Sequence, residues 1–324
     1  MRNWIRLLYV RFYNDKRNEE IVVGKTIDDS QKPRITVSGN KYLSPVKDNF
    51  SIRIYNLRYD ELIRIMQHNL LSVEIYAGYL NEQNYYNFNA KCIFRGGVIN
   101  IVNEKREWKD NVATFICASN LVAKGQKWRC SISLASGINL YSAVKYISDR
   151  AGISSDIDPS LRYQFLKQAT IATNSPSSYL EKIEKSNNDF FTSTDSSSGS
   201  DLSFFSVASK KQTPLYIDPK RGMIIGESPE ITSSGLTWES LPVENYSCGQ
   251  LVQIDNSWIN SSSGQDTLGG TISVPNSIYL NSQGLYYIYD LGYSLDNTTG
   301  SFQVKIHCWS RSLFENVTRG ETSK

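Results

Sequence analysis

Short stretches in which apolar and polar residues alternate recur at both ends of this 324-residue chain. In FSIRIYNL, Ile52 and Ile54 fall on one face of an extended chain, whereas Arg53 and Tyr55 fall on the other. This alternation is typical of a strand with one face on a core. Further strands are predicted at 4–13, 20–24, 34–37, 71–80, 165–173, 204–207, 215–217, 236–241, 250–254, 284–293 and 301–309. Residues 90–119 are predicted to form strands separated by a glycine bend and by a turn near 109–111. Gly96-Gly97 inside a strand pattern predicts a bulge or bend.

Three helical patterns lie between these strands. Asn139 is placed to cap a helix that ends before Gly152, and Ser175-Pro176 has the residue types of a helix start. The third pattern covers 58–69 and predicts an amphipathic helix. Its apolar stripe consists of Tyr59, Leu62, Ile63 and Met66. The predicted fold class is therefore α+β, mostly β, with antiparallel sheets or barrels around a smaller inserted domain.

Composition excludes several classes of protein. Hydrophobic residues make up 40% and charged residues 21%, as in a folded soluble protein. A net charge of +3 is too small to indicate nucleic-acid binding. Arg2, Arg6 and Arg11 interrupt the apolar core that a signal peptide would need. The sequence contains no run of about 18 apolar residues, so no membrane-spanning helix is predicted. No two of the five cysteines are closer than 13 positions in the sequence. This number and spacing predict reduced, buried thiols in a protein made in a cytoplasm.

The sequence contains none of the motifs that identify common enzymes. No G-x-G-x-x-G, P-loop, H-E-x-x-H or G-x-S-x-G motif occurs. The two histidines are His68, late in a predicted helix, and His307, beside Cys308 in a predicted strand. A single His-Cys pair lacks the ligands of a zinc site, so structural roles are favoured for both. We therefore assign no catalytic, cofactor-binding or metal-binding residue.

Paired carboxylates leave one enzymatic alternative open. Asp156 and Asp158 in SSDIDPS could act as the two acids of a glycosidase, although DIDP also has the composition of a turn. Glu227 and Glu230 around Ser228-Pro229 have the same two interpretations. The turn interpretation is favoured in both cases. The alternative is an enzyme that degrades cell wall or capsule.

Exposed tryptophans would support a third hypothesis. Trp258 or Trp309 could present a flat apolar surface to a sugar, which would make the chain a carbohydrate-binding module. Aromatic residues scattered through strands are more often core or interface residues.

One long segment resembles a recurring part of the baseplate or tail hub proteins of tailed bacteriophages. It reads GMIIGESPEITSSGLTWESL, followed shortly by VENYSCGQLVQI. In that family a strand leads to a glycine, a proline-containing turn, a second strand and a Cys-Gly step. Gly226, Pro229, Gly235 and Gly249 stand at those places in this chain.

The resemblance extends over nearly the whole chain. The first barrel of a hub is similar to two segments of this chain, SIRIYNLRYDELIRI and LSVEIYAGYL. The next hairpin of a hub is similar to CIFRGGVINIVNEKREWKDNVATFICAS. ASGINLYSAVKYISDRAGI is similar to the opening helix of the middle domain. In GLYYIYDLGYSLDNTTGSFQVKIHC, Tyr293, Ser294 and Asp296 replace the family's usual hxGD pattern loosely, and Phe302 stands in for its tryptophan.

The resemblance implies a fold with three domains. A first tail-tube-like antiparallel β-barrel would occupy residues 1–125 and a middle α+β domain residues 126–215. A second tube-like barrel with a C-terminal tail would occupy residues 216–324. The barrels can exchange strands, as is expected when both chain ends contribute to them.

The implied function is structural rather than enzymatic. With this resemblance, the two alternatives above become a virion-associated enzyme that degrades cell wall or capsule, and a carbohydrate-binding tail-tip module. Three copies would form a ring whose six barrels face the sixfold tail tube, while its other end receives a threefold spike or tail tip. The implied partners are further copies of the chain, the tail tube protein, the spike or tail-tip protein, the tape measure protein and other baseplate proteins. Nucleic acid would only pass through the central channel, and no cofactor is implied. The expected location is the tail baseplate of a virion made in a host bacterial cytoplasm.

Overall fold

The computed structural model describes most of the chain. The described residues are 5–14, 16, 18–25, 32–44, 48–80, 88–106, 110–125, 132–172, 175–187, 190–193, 200–206, 212–232, 235–259 and 283–310. Strands predominate and four α-helices lie between them, so the described part is α+β and mostly β, as predicted.

The first third forms seven strands and two helices. They are β1 (Arg6–Tyr13), β2 (Glu20–Val23), β3 (Ile35–Tyr42), β4 (Asn49–Tyr55), α1 (Tyr59–Gln67), β5 (Ser72–Leu80), β6 (Phe88–Arg106), β7 (Asp110–Ser119) and α2 (Asn120–Gly125).

The middle and last parts differ in character. The middle contains β8 (Ile132–Leu134), α3 (Leu140–Ala151), β9 (Ser155–Ile157), β10 (Thr170–Ala172), α4 (Pro176–Ser186), β11 (Phe190–Ser193) and β12 (Leu202–Ser206). The last part contains β13 (Leu215–Tyr216), β14 (Ile225–Ile231), β15 (Gly235–Ser240), β16 (Leu251–Gln253), β17 (Leu285–Asp296) and β18 (Phe302–Ser310).

One large sheet joins the two ends of the chain. Its strand order is β14-β15-β18-β17-β3-β4-β7-β6-β5-β1-β2, with β16 also paired to β17 and β13 paired to β16. The junction is the antiparallel pair of β17 and β3, in which Ser294 lies opposite Ser38 and Gly292 opposite Asn40. Strands far apart in sequence therefore share hydrogen bonds and a core.

The buried apolar residues divide into two clusters. The larger cluster combines residues between Leu8 and Cys117 with residues between Phe205 and Cys308. The smaller cluster runs from Leu121 to Phe204 and packs α3 and α4 against the short strands of the middle region. The first and last thirds thus share one core, and the middle has its own.

The structure confirms the predicted ends of α3. The Oδ1 atom of Asn139 accepts a hydrogen bond from the backbone N–H of Ser142 at 2.8 Å, and Gly152 ends α3 in the left-handed conformation. At α4, Pro176 begins the helix as predicted, but the Ser175 side chain makes no capping hydrogen bond.

Other predictions were wrong in part. In α1 the buried residues are Leu62 and Ile65, whereas Tyr59 and Met66 of the predicted apolar stripe are 70% and 53% exposed. The predicted strand at 165–173 shrinks to Thr170–Ala172, because Phe165 makes only an isolated bridge to Asn139. The helix α2, the short strands β8, β9 and β11, and the strand β14 through Pro229 were not predicted.

Candidate interaction surface

The predicted paired acids have separate local roles. The Asp158 carboxylate accepts a hydrogen bond from the Ser160 backbone N–H and so caps a 3-10 turn at Pro159–Tyr163. Asp156 lies in the short strand β9 opposite Ser203. Glu227 and Glu230 lie exposed on β14. For Asp158 the structure therefore supports the turn interpretation.

The two histidines also have identifiable surroundings. The Nδ1 atom of His68 lies 2.7 Å from the Glu19 carboxylate in a half-exposed surface pair. His307 and Cys308 point to opposite faces of β18, since Cys308 is fully buried and His307 is partly exposed. Burial raises the pKa of the Cys308 thiol well above its ordinary value. No group of three or more His, Cys, Asp or Glu residues within the described ranges could hold a metal ion.

The cysteines behave as predicted where they can be seen. Cys117, Cys248 and Cys308 are buried thiols, and Cys92 is a partly buried thiol. Cys130 lies outside the described residues. Among the described segments, no helix has the length and hydrophobicity needed to cross a membrane.

The two glycines and the proline of the segment that resembles hub proteins have backbone positions that suit these residue types. Gly226 and Gly249 have positive φ angles of 68° and 84°, which favour glycine. Pro229 lies in β14, the strand at one end of the sheet, within the irregular stretch between Ile225 and Glu230 where the register with β15 shifts, so a missing backbone N–H breaks no regular pair. Proline on such a strand also hinders edge-to-edge pairing with other chains.

Exposed aromatic and other large apolar side chains lie on several elements. Tyr163 is 85% and Phe165 55% exposed beside the start of α3, and Trp258 is 43% exposed in a 3-10 turn. Trp309 is instead partly buried and stacks on Tyr289, with ring centroids 4.7 Å apart and planes 17° apart. Trp258, but not Trp309, is therefore exposed as a sugar-binding role would require.

A row of polar side chains crosses the outward face of the sheet in its C-terminal part. Asp290 of β17 lies opposite Tyr42 of β3 and opposite His307 of β18, and His307 lies opposite Thr237 of β15. Residues directly opposite one another share a face of the sheet, so these four side chains form a continuous row. We call Tyr42, Asp290, His307 and Thr237 the transverse row.

The surroundings of the transverse row explain its electrostatics. Burial raises the pKa of Asp290 to about 6, and only the Leu291 backbone N–H counteracts it. Burial, with a smaller effect of Lys305, lowers the pKa of His307. Near pH 7 the row therefore holds a carboxylate beside a neutral imidazole. The Tyr289 ring lies 6.0 Å from that of His307, so the Tyr289–Trp309 stack borders the row.

A second charged cluster lies on the outward face of β1, β5 and β6. The Glu74 carboxylate, 1% exposed, accepts hydrogen bonds from Arg11, Tyr76 and Arg95 at 2.8–3.2 Å. Arg11 also bonds to Glu20, and Tyr9 stacks on Tyr76 with ring centroids 4.6 Å apart. Every acceptor here has donors, so this cluster is internally satisfied, unlike the transverse row.

Comparison with solved structures identifies the fold. A tail protein from Neisseria meningitidis MC58 is similar with a TM-score of 0.55 at 10% identity, and the match covers 97% of this chain and 98% of that chain. The 43 kDa tail protein of prophage MuSo2 from Shewanella oneidensis has a TM-score of 0.51 at 9% identity, covering 94% and 97%.

A third similar structure comes from a secretion system. It is an E. coli component of the type VI secretion system, described as structurally similar to the phage T4 tail proteins gp27 and gp5. Its TM-score is 0.53 at 10% identity, and the match covers 86% of this chain and 73% of that chain. No protein-family model matches the chain, and no curated protein matches it in sequence. The resemblance predicted from the sequence is thus confirmed at the level of fold.

Proposed function

We propose that this chain is a structural hub protein of a bacteriophage tail baseplate. The observation that carries the proposal is the fold match with tail proteins, which runs almost end to end in both partners of each comparison. The proposed role requires no reaction, cofactor or metal.

The proposed architecture has two tube-like barrels at 1–125 and 216–324 and an inserted middle domain at 126–215. The separate core between Leu121 and Phe204 supports the insertion. A close contact at Gly24, which follows β2, supports a barrel in the first part. A Cβ built there would lie 2.5 Å from Ile35 of β3 and 2.9 Å from the Leu8 carbonyl oxygen. Because β2 and β3 are not neighbours in the strand order, this contact indicates that the sheet curves back on itself. The β17–β3 pair supports strand exchange between the two barrels.

In the proposed assembly three copies form a ring with a central channel. Two barrels in each of three copies give six similar units, which suits a sixfold tube on one side and a threefold spike or tail tip on the other. The tail tube protein, the spike or tail-tip protein, the tape measure protein and other baseplate proteins are the proposed partners. The location is the virion tail, and nucleic acid only passes through. Exposed Tyr163 and Phe165 provide apolar surface for such contacts.

The test is the mass and symmetry of the purified full-length chain. We expect mass photometry to give a species of three times 36.7 kDa, about 110 kDa, and negative-stain averages to show threefold rings with an open centre. Mixing with a tube protein from the same phage should give longer stacked particles.

One outcome would overturn the proposal. If the chain stays at the protomer mass over the whole concentration range, with and without tube and spike proteins, it forms no ring. It could then not connect a sixfold tube to a threefold spike.

A further inference from the structure

Two polar atoms of the transverse row are buried without a hydrogen-bond partner. They are Oδ1 of Asp290 and Oγ1 of Thr237, whose residue is 7% exposed. His307 lies directly opposite both residues, in the strand between β17 and β15. A buried acceptor without a donor destabilises a fold, so a neighbour that can become its donor affects stability.

The geometry of β17 places Asp290 within reach of His307. The register with β18 shifts between Ile288 and Asp290, so Tyr289 is the extra residue of a β-bulge. Directly opposite residues of an antiparallel pair have Cβ atoms about 5 Å apart, which a carboxylate and an imidazole can span. The Asp290 carboxylate has only the adjacent Leu291 backbone N–H as a donor. The His307 imidazole makes no hydrogen bond or ion pair with a described residue.

Other titratable or charged groups reach this face from four strands. They are Tyr42 of β3 with Asp48 beside it, Lys305 of β18, Glu239 of β15 and Glu230 of β14. Three of these five are carboxylates, which donate no hydrogen bond when ionised. Lys305 lies opposite Glu239, and the Tyr42 phenol does not donate to Oδ1 of Asp290. The imidazole is therefore the group of this set that gains a proton near neutral pH.

An imidazole changes its hydrogen-bonding capacity when it binds a proton. Neutral His307 has one N–H donor and one acceptor nitrogen, whereas the protonated ring has two N–H donors and a positive charge. One N–H directed at Asp290 would give its buried oxygen a charge-assisted hydrogen bond. The second N–H would face Thr237 on the other side, so that a single proton satisfies both buried oxygens.

The effects of burial favour a proton that belongs to both groups. Burial raises the pKa of Asp290 to about 6 and lowers the pKa of His307. A carboxyl group and an imidazole whose pKa values approach each other compete for the same proton, and such a pair titrates as one unit. His307 is partly exposed, so solvent can supply the proton.

We propose that His307 takes up a proton from solvent on mild acidification and donates its two N–H groups to Asp290 and Thr237. The resulting hydrogen bonds join β17, β18 and β15, and no covalent bond changes. Because β17 also pairs with β3, the bonds lie beside the junction of the two halves of the sheet. They form within one copy of the chain, so they do not depend on the proposed ring.

The presence of two histidines in the chain makes a direct test possible. Nuclear magnetic resonance of isotope-labelled histidine in the full chain follows both imidazoles as the pH is lowered. We expect Asp290→Asn to lower the titration midpoint of His307 by about one pH unit or more, because the carboxylate that stabilises the imidazolium is lost. Thr237→Val should lower it by a smaller amount. His68, in its exposed pair with Glu19, is the internal control and should keep its midpoint in both variants.

Thermal unfolding at pH 7 and pH 5 provides an independent measurement, with the double variant Asp290→Asn/His307→Gln as the baseline. His307→Gln leaves Asp290 with a raised folded pKa, so its contribution to stability is lost as the pH rises through about 6. Relative to the baseline, this variant should melt about 2–4 °C higher at pH 5 than at pH 7. Asp290→Asn leaves His307 with a lowered folded pKa, so this variant should melt lower at pH 5 than at pH 7.

Three outcomes would count against the shared proton. A His307 midpoint that Asp290→Asn leaves unchanged means that the two groups titrate separately, which overturns the proposal. Melting temperatures of Asp290→Asn and His307→Gln that respond to pH in the same direction overturn it as well. A midpoint that responds to Asp290→Asn but not to Thr237→Val overturns the hydrogen bond to β15.

Discussion

At the scale of single residues, the Glu74 carboxylate lies between two guanidinium groups and a phenol on β5. Burial raises its pKa, but the Tyr76 hydroxyl, Arg95 and Arg11 outweigh burial and hold the pKa below the usual value. A carboxylate with a lowered pKa in the folded state stabilises the fold above its unfolded pKa of about 4.3, and this stabilisation is lost as the pH falls through the folded pKa.

Glu74→Gln should therefore destabilise the protein in a pH-dependent way. We expect a loss of about 2 kcal/mol at pH 7, because Arg11 and Arg95 would remain partly buried without their counter-ion. The loss should shrink as the pH falls below about 4.3, because the unfolded chain then binds a proton that the folded carboxylate still excludes. Urea unfolding at pH 7 and pH 3.5 measures both values.

Glu20→Gln is the matched control for this cluster. Glu20 also binds Arg11, but its side chain is 48% exposed, so the change should stay within about 0.5 kcal/mol. Equal effects of the two substitutions would contradict a special role for the buried carboxylate.

A second prediction concerns the start of α3. Asn139→Ala removes the hydrogen bond from the Ser142 N–H and should cost about 1 kcal/mol of unfolding free energy. Ser175→Ala at the start of α4 should cost less, since the Ser175 side chain makes no capping hydrogen bond. Thermal unfolding of the two variants side by side compares the two losses in stability. A larger loss in Ser175→Ala than in Asn139→Ala would contradict the assignment of the caps.

At the scale of elements, Gly96 in the long strand β6 corrects a sequence-based expectation. The expected bulge at Gly96-Gly97 is absent, because the register shifts lie at Ile75/Tyr76 and Val98/Asn100, and Gly96 does not have a positive φ. The glycine is needed for another reason. A Cβ there would lie 2.8 Å from Cε1 of Phe94 and closer still to the Ala118 carbonyl oxygen.

Gly96→Ala should consequently destabilise the sheet by about 2 kcal/mol or more, and Gly96→Val should impair folding or assembly further. The measurement is the free energy of unfolding together with the yield of assembled particles. Gly292→Ala on β17 is the control, because a Cβ there meets only the Asn40 side chain at 3.2 Å and more distant atoms. Similar effects at Gly96 and Gly292 would contradict the close-approach argument.

At the scale of the whole molecule, the shared core predicts how destabilisation spreads. Ile306→Ala on β18 creates a cavity in the cluster that also contains Ile52 and Phe115, so amide hydrogen exchange should accelerate in β4 and β7 as well as in β15. The helix α3 belongs to the other cluster and should be affected least.

Val144→Ala in α3 provides the reciprocal test. It should accelerate exchange in α3 and α4, whose buried residues share the smaller cluster, and leave β4 and β7 close to the wild type. Hydrogen exchange read by mass spectrometry follows all of these segments at once. Uniform acceleration in both variants would mean that the two clusters unfold as one unit.

The sequence by itself determined the features that depend on neighbouring residues. The cap at Asn139 and the left-handed Gly152 are local chemistry, and alternation identified most strands within a few residues. The order of its motifs also carried the resemblance to phage tail hub proteins, which the fold match with tail proteins confirms.

Tertiary structure alone decided the features that depend on distant partners. In α1, nine residues offer two apolar stripes of similar spacing, and contact with the core selected Leu62 and Ile65 over Tyr59 and Met66. The β17–β3 pair and the transverse row unite residues about 250 positions apart, as Asp290 and Tyr42 do. No local pattern encodes such a pair, because register is set by the burial of whole faces when the sheet forms.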